Sequence, residues 1–250
     1  MKTRKIFKGI ALMITFSLLM GNCVLVSAEE RDVLAVDDIL RNYGMQEDRI
    51  EALDDDIKQF MVNDLQSLES TSETIEYVDS ENVDMPSLYV NQVLTGISFS
   101  CDSFLSGNKV YIYPTYEFTT DKKPRGEDSF SVCMGDALIP YEYGGQLWYK
   151  DDTMSDWAIG GSMVANNQYS NSAEYSGSQL GSPDWSMKMK GCAYVHAQIG
   201  SGTSKQFIVS YMYNPNKSDY SLSFNYAGFG ISYTSSGTIY SAAKTFILDY

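Results

Sequence analysis

The sequence predicts a mainly β protein: an antiparallel two-sheet β-sandwich, jelly-roll-like in type, preceded by a short acidic helical region. Three observations carry this. Between residues 85 and 250 apolar side chains recur at every second position, the period of a half-buried strand. Clusters of Gly, Asn, Pro and Ser punctuate these runs, with no helical pattern between them, which points to a sandwich or jelly roll. The charge is also split. Residues 29–84 hold 18 acids and 4 bases, net −14, whereas residues 85–250 hold 14 acids and 10 bases, net −4.

Residues 1–28 read as a secretory signal peptide. Lys2, Arg4, Lys5 and Lys8 precede the apolar run Gly9–Met20, which is too short to span a bilayer at roughly 20 residues per helix. Val26-Ser27-Ala28 suits cleavage after Ala28. An uncleaved anchor and lipidation at Cys23 are the alternatives; Asn22 stands where a lipoprotein signal wants a small residue. The product is expected to be extracellular, of Gram-positive bacterial style.

Residues 29–65 form the acidic helical region. Val33, Leu34, Val36, Ile39, Leu40 and Tyr43 recur at three- and four-residue steps, and Gly44 stands where a helix ends in the left-handed conformation. Asp54-Asp55-Asp56 then offers an N-cap and favourable charge ahead of the stripe Ile57, Phe60, Met61, Leu65 and Leu68. Calcium loops alternate ligands with spacers, so the triple Asp reads as a cap. Residues 66–84, rich in Ser, Thr, Glu and Asp, read as a polar linker, with a pro-segment over 29–84 as the alternative.

In the sandwich, Trp185–Ile199 alternates over 15 residues, with Gly191 placed for a bend. Gly200–Ser204 turns it into Phe207, Val209, Tyr211 and Tyr213, predicting a hairpin. Asn214–Asp219 then leads to Tyr220, Leu222, Phe224 and Tyr226, predicting a three-strand meander. Val110–Phe118 and Ser129–Met134 read as partners. Further strands are expected over Tyr89–Ser100, Gln146–Lys150, Ala158–Val164 and Thr238–Leu248. A chain ending in strand is expected to lack a C-terminal anchor.

A net charge of −14 lacks the basic stripe that nucleic acid requires and disfavours anionic membranes. No cofactor is implied. Metal is not implied either: there is one histidine, no cysteine pair at zinc spacing, and the Asp151–Asp156 loop lacks the glycine and terminal glutamate of a calcium loop. Cys101, Cys133 and Cys192 remain after cleavage, an odd number, and Cys192, on the polar face of its strand, is the one most available for a disulfide. Cys192 and His196 share a face about 13 Å apart, too far for a nucleophile and its base.

Aromatics are the stronger signal. Residues 85–250 hold 17 Tyr, 8 Phe and 3 Trp, and Tyr111, Tyr113 and Tyr194 fall on the face opposite the apolar one. Trp148, Tyr149, Trp157 and Trp185 lie beside acidic turns, where flat rings with polar handles can stack on sugars or dock on proteins. The leading expectation is a non-catalytic binding domain for a glycan or an extracellular protein surface, with Trp148, Tyr149, Trp157, Trp185 and Tyr194 as contacts. The alternative is a secreted hydrolase using His196 with a Cys or Ser, or an acid pair drawn from Asp128, Asp136, Glu142, Asp151, Asp152, Asp156 and Asp184.

Overall fold

The computed structural model describes residues 35–68, 74–83, 92–118, 127–169, 171–176, 188–216, 218–225 and 230–250. The leader over 1–28 lies outside these residues. The chain divides into two units at Leu68.

In the first unit, residues 35–42 are helical (α1), followed by α2 (Glu47–Ala52) and α3 (Asp55–Leu68). Gly44, at φ 87, ends the first turn of structure in the left-handed region that glycine adopts freely. The Asp54 carboxylate accepts the Asp56 amide at 3.0 Å and its carbonyl takes the first helical bonds of α3, so the aspartate run is a cap. Leu40, Ile50, Met61 and Leu65 are fully buried. Lys58, its side chain 7% exposed, bridges Asp37 and Asp55 at 3.0 Å each. Desolvation alone would lower its pKa; the two carboxylates outweigh that and raise it. No described helix is long and apolar enough to cross a membrane.

The second unit is a sandwich of two six-stranded antiparallel sheets. Sheet A runs β1 (Glu76–Val78), β3 (Ile97–Ser106), β4 (Lys109–Phe118), β10 (Lys188–Ile199), β6 (Leu138–Lys150), β7 (Ala158–Ser162). Sheet B runs β2 (Ser80–Val83), β14 (Tyr240–Leu248), β11 (Gln206–Asn214), β5 (Glu127–Met134), β9 (Ser172–Ser176), β8 (Asn167–Tyr169). A separate ribbon pairs β12 (Tyr220–Asn225) with β13 (Gly230–Ser235).

The core lies between the sheets. Val110, Ile112, Met189, Ala193, Val195 and Leu147 of sheet A face Phe130, Val132, Phe207, Val209, Tyr211 and Phe246 of sheet B. At its centre Tyr116 packs against Tyr211 and Phe130, with ring centroids 4.8 and 5.0 Å away. Burial pushes the Tyr116 and Tyr211 phenols well above their ordinary pKa, with the Asp128 carboxylate adding to the shift.

Several expected pairings differ. β10 and β11 do not form a hairpin: β10 pairs with β4 and β6, and β11 with β14 and β5. The 200–205 turn is an arch between sheets, so the two apolar stripes meet face to face across the core rather than side by side. For the same reason β4 and β5 are not partners, and β12 does not extend a meander. Alternation reports which face is buried and is silent about the neighbour.

Residues 66–84 are not wholly a linker. α3 runs on to Leu68, and β1 and β2 add an edge strand to each sheet, pairing with β3 and β14. Edge strands need few apolar residues; Ile75 and Val78 supply the buried contacts. Gly191 keeps its register. It is glycine because the Tyr116 ring lies against it: a Cβ there would fall 2.5 Å from that ring. The bulge in β10–β6 falls instead between His196 and Ala197.

Candidate functional site

The outer face of sheet A gathers most of the residues that the sequence marks out. On β10, Lys190, Cys192, Tyr194 and His196 project away from the core side chains, since successive strand residues alternate faces. This face was expected to be polar and solvated. It is largely buried: Lys190 and Cys192 are fully covered, and His196 is 1% exposed.

Lys190 stands opposite Trp148 in the β10–β6 pairing. Its Nζ lies 5.6 Å from the Trp148 ring and 4.4 Å from the Trp157 ring, so two indoles flank one ammonium. Cation–π attraction is strongest when the cation is desolvated, as here. The structure thus brings Trp148 and Trp157 together, but around a lysine. Trp148 is 3% exposed and offers no ring to solvent, while Trp157 stays half-buried. Tyr149, next in β6, faces the opposite side from Trp148, so the two cannot share one platform. Trp185 and Asp184 lie outside the described residues.

Six positions beyond Lys190 on β10, His196 sits in an aromatic enclosure. Tyr194 stacks on it at 4.7 Å and 23°, Tyr111 of β4 meets it edge-on at 5.2 Å, and Tyr141 of β6 lies at 6.1 Å. Its Nδ1 is 3.1 Å from Glu142 Oε2, and the Glu142 side chain is 52% exposed. A glycine on β6 makes the stack possible. A Cβ at Gly144 would lie 2.4 Å from the Tyr194 ring, so only glycine lets that ring lie across the strand.

Beside this enclosure the surface opens. Ile139 is 53% exposed and Tyr141 49%, two of the few large apolar side chains that the described surface presents. Tyr141 falls at the β-bulge: His196 stands opposite Glu142 and Ala197 opposite Pro140, so Tyr141 is the extra residue of the bulge. Bulges re-aim a side chain, and this one turns Tyr141 outward. Sequence reasoning missed Ile139 and Tyr141 because it began this strand at Gln146. Pro140 within an apolar run was the available signal, since proline inside a sheet marks a bulge or edge.

Three of the other acids considered hold structural positions, whereas Asp152 and Asp156 are exposed in the turn after β6. Asp136 Oδ1 accepts the Thr203 and Ser204 amides at 3.0 and 2.7 Å, closing the inter-sheet arch. Asp151 Oδ1 accepts from the hydroxyl and amide of Thr153, and these bonds lower its pKa. Asp128 is buried beside Tyr116 and Tyr211. Among the described residues no group of three His, Cys, Asp or Glu side chains is placed to hold a metal. Cys101, Cys133 and Cys192 are all buried and none forms a disulfide. Cys192 is therefore not an available thiol: it lies on the outer face, as expected, but that face is covered. Burial pushes the Cys133 thiol up to about 12, leaving it protonated and unreactive at neutral pH.

No protein-family model matches the chain, and no curated protein does either. Several solved structures are similar in outline. A pore forming protein shares 7% identity at a TM-score of 0.37, over 71% of this chain and 96% of that one. The collagen binding subdomain of the Enterococcus faecalis surface protein ACE shares 12% identity at 0.32, over 67% and 99%. The KRT10-binding region domain of the pneumococcal serine rich repeat protein PsrP shares 12% identity at 0.32, over 66% and 99%.

Proposed function

We propose that the sandwich is a secreted, non-catalytic binding domain that contacts a glycan or the surface of an extracellular protein. The observation that carries this reading is the exposed Tyr141 at the bulge, flanked by exposed Ile139 and by Glu142, whose carboxylate is held by buried His196. A tyrosine ring stacks on the apolar face of a sugar or on a protein side chain. A carboxylate beside it accepts hydrogen bonds from hydroxyl or N–H groups of the same ligand. Both stand on a rigid sheet, which lowers the ordering cost of binding. Tyr194 and Trp157, each half-buried on the same sheet face, extend the aromatic contact. Export rests on the basic and apolar leader over residues 1–28.

Hydrolysis fits less well. A catalytic imidazole must reach substrate, and His196 is 1% exposed beneath stacked Tyr194. Asp136 and Asp151, two of the acids considered for a carboxylate pair, are engaged by backbone amides.

The test is a glycan array together with immobilised extracellular-matrix proteins, probed with wild type and Tyr141→Ala. Wild type binds a defined ligand, and the variant loses at least about ten-fold in affinity, as for a central aromatic contact. Equal binding by both proteins, or no ligand for the wild type, overturns the proposal.

A further inference from the structure

We infer that the β12–β13 ribbon is a strap that lifts from the outer face of sheet B without unfolding the sandwich. Its strands pair with each other and belong to neither sheet. A two-stranded ribbon alone is marginal in water, so its docking holds it in place. One side of the ribbon carries Tyr220, Leu222, Ile231 and Tyr233, and the other carries Ser221, Ser223, Ser232 and Thr234, which is the alternation of a ribbon with one docking side.

What lies beneath that side decides how firmly it docks. Fully buried apolar contact is small, comprising Met212, Tyr233 and Ile239, against the long continuous core between the sheets. Tyr220, Leu222 and Ile231 pack against this small cluster partly buried, and the remaining contacts are polar. Tyr233 donates its hydroxyl to Ser131 Oγ at 3.0 Å, and Tyr220 donates to Glu174 Oε1 at 2.9 Å. The same carboxylate oxygen accepts Ser129 Oγ at 2.7 Å. Ser129, Ser131 and Glu174 are buried although they form the kind of face that a sheet ordinarily turns to water. When the ribbon lifts, water replaces each of these hydrogen bonds, so no polar group is left unsatisfied, and the apolar surface exposed is that of one small cluster. Opening the inter-sheet core has no such compensation. The entry hinge is already built: buried Asn214 accepts the Ser218 amide at 3.2 Å and donates to its carbonyl at 2.6 Å, a closed turn that stays with β11 as the strands beyond it move. Lifting uncovers a surface of serine hydroxyls around one carboxylate, distinct from the Tyr141 patch on sheet A.

Hydrogen exchange on the full chain tests this across a denaturant series. Amides of β12 and β13 should exchange through a small opening of weak denaturant dependence, while those of β10 and β11 exchange only with global unfolding. The pair Tyr220→Phe and Tyr233→Phe should speed ribbon exchange by about ten-fold and leave β10 and β11 unchanged. A second readout is Ser131→Cys, whose thiol should be labelled in the native protein at the ribbon's opening rate. The inference is overturned if ribbon amides share the denaturant dependence of β11, if the double variant accelerates all strands equally, or if the Ser131→Cys thiol reacts only on global unfolding.

Discussion

Adding one methyl group at Gly144 should dismantle the enclosure around His196. The backbone there is ordinary, so Gly144→Ala carries no conformational penalty of its own and acts by contact. Its Cβ would stand 2.4 Å from Tyr194 Cζ and Oη and 2.5 Å from Cε1. Carbon atoms in contact sit about 3.5–4.0 Å apart, so the ring must move by more than about 1 Å. It cannot do so and keep its 4.7 Å stack on His196. Over-packing of this kind costs about 1–3 kcal/mol, within which the lost aromatic pair is about 0.5–1.5 kcal/mol. For a domain of this size that lowers the melting temperature by roughly 2–12 °C. The chain has one histidine, so its imidazole proton resonances are assigned without ambiguity and should move downfield as the stacked Tyr194 ring leaves. A double-mutant cycle isolates the contact: in a Tyr194→Ala background, Gly144→Ala should cost less than about 0.5 kcal/mol. An unchanged imidazole shift in Gly144→Ala, or an equal cost in both backgrounds, would refute the steric argument.

Two further outcomes follow from buried charge. Trp157→Ala removes the nearer of the two rings over Lys190 and should lower stability by about 0.5–2 kcal/mol, read as a shift in urea midpoint; Trp157→Phe should recover part of the loss, and no loss in the alanine variant would mean that the ammonium is held by other contacts. Alkaline titration should leave Tyr116, Tyr175 and Tyr211 un-ionised in the folded protein, because burial raises each well above 10.0. The unfolded phenols release protons near 10, so the stability that these residues contribute is complete below that pH and falls as pH rises beyond it. Phenolate absorbance should therefore appear in two steps, the second coincident with loss of β-sheet circular dichroism; a single early step for all tyrosines would contradict their burial.

Strand content was largely legible in the chain. Val110–Phe118, Ser129–Met134 and Phe207–Tyr213 all became strands, and the expected strand over Thr238–Leu248 begins at Tyr240. Local capping chemistry was legible too, at Gly44 and Asp54. Polar edge strands escaped notice: β1 and β2 bury so little that their composition resembles a linker. The aromatics on the outer face of sheet A were correctly assigned to that face in Tyr111, Tyr113 and Tyr194. Their burial was not foreseeable, nor was the lysine that holds Trp148 and Trp157, because a polar residue in an alternating strand reads as solvated whatever later covers it.

The sequence by itself determined most of the strands that line the core and which side of each carries the apolar stripe, since both follow from a period of two that the backbone imposes residue by residue. Tertiary structure alone decided that β10 lies between β4 and β6 rather than beside β11, that His196 meets Glu142 across a bulge, and that Tyr141 faces outward. Each of these joins residues tens of positions apart. Such pairings are chosen by how all the stripes close around one core, a condition that no local window of the chain contains.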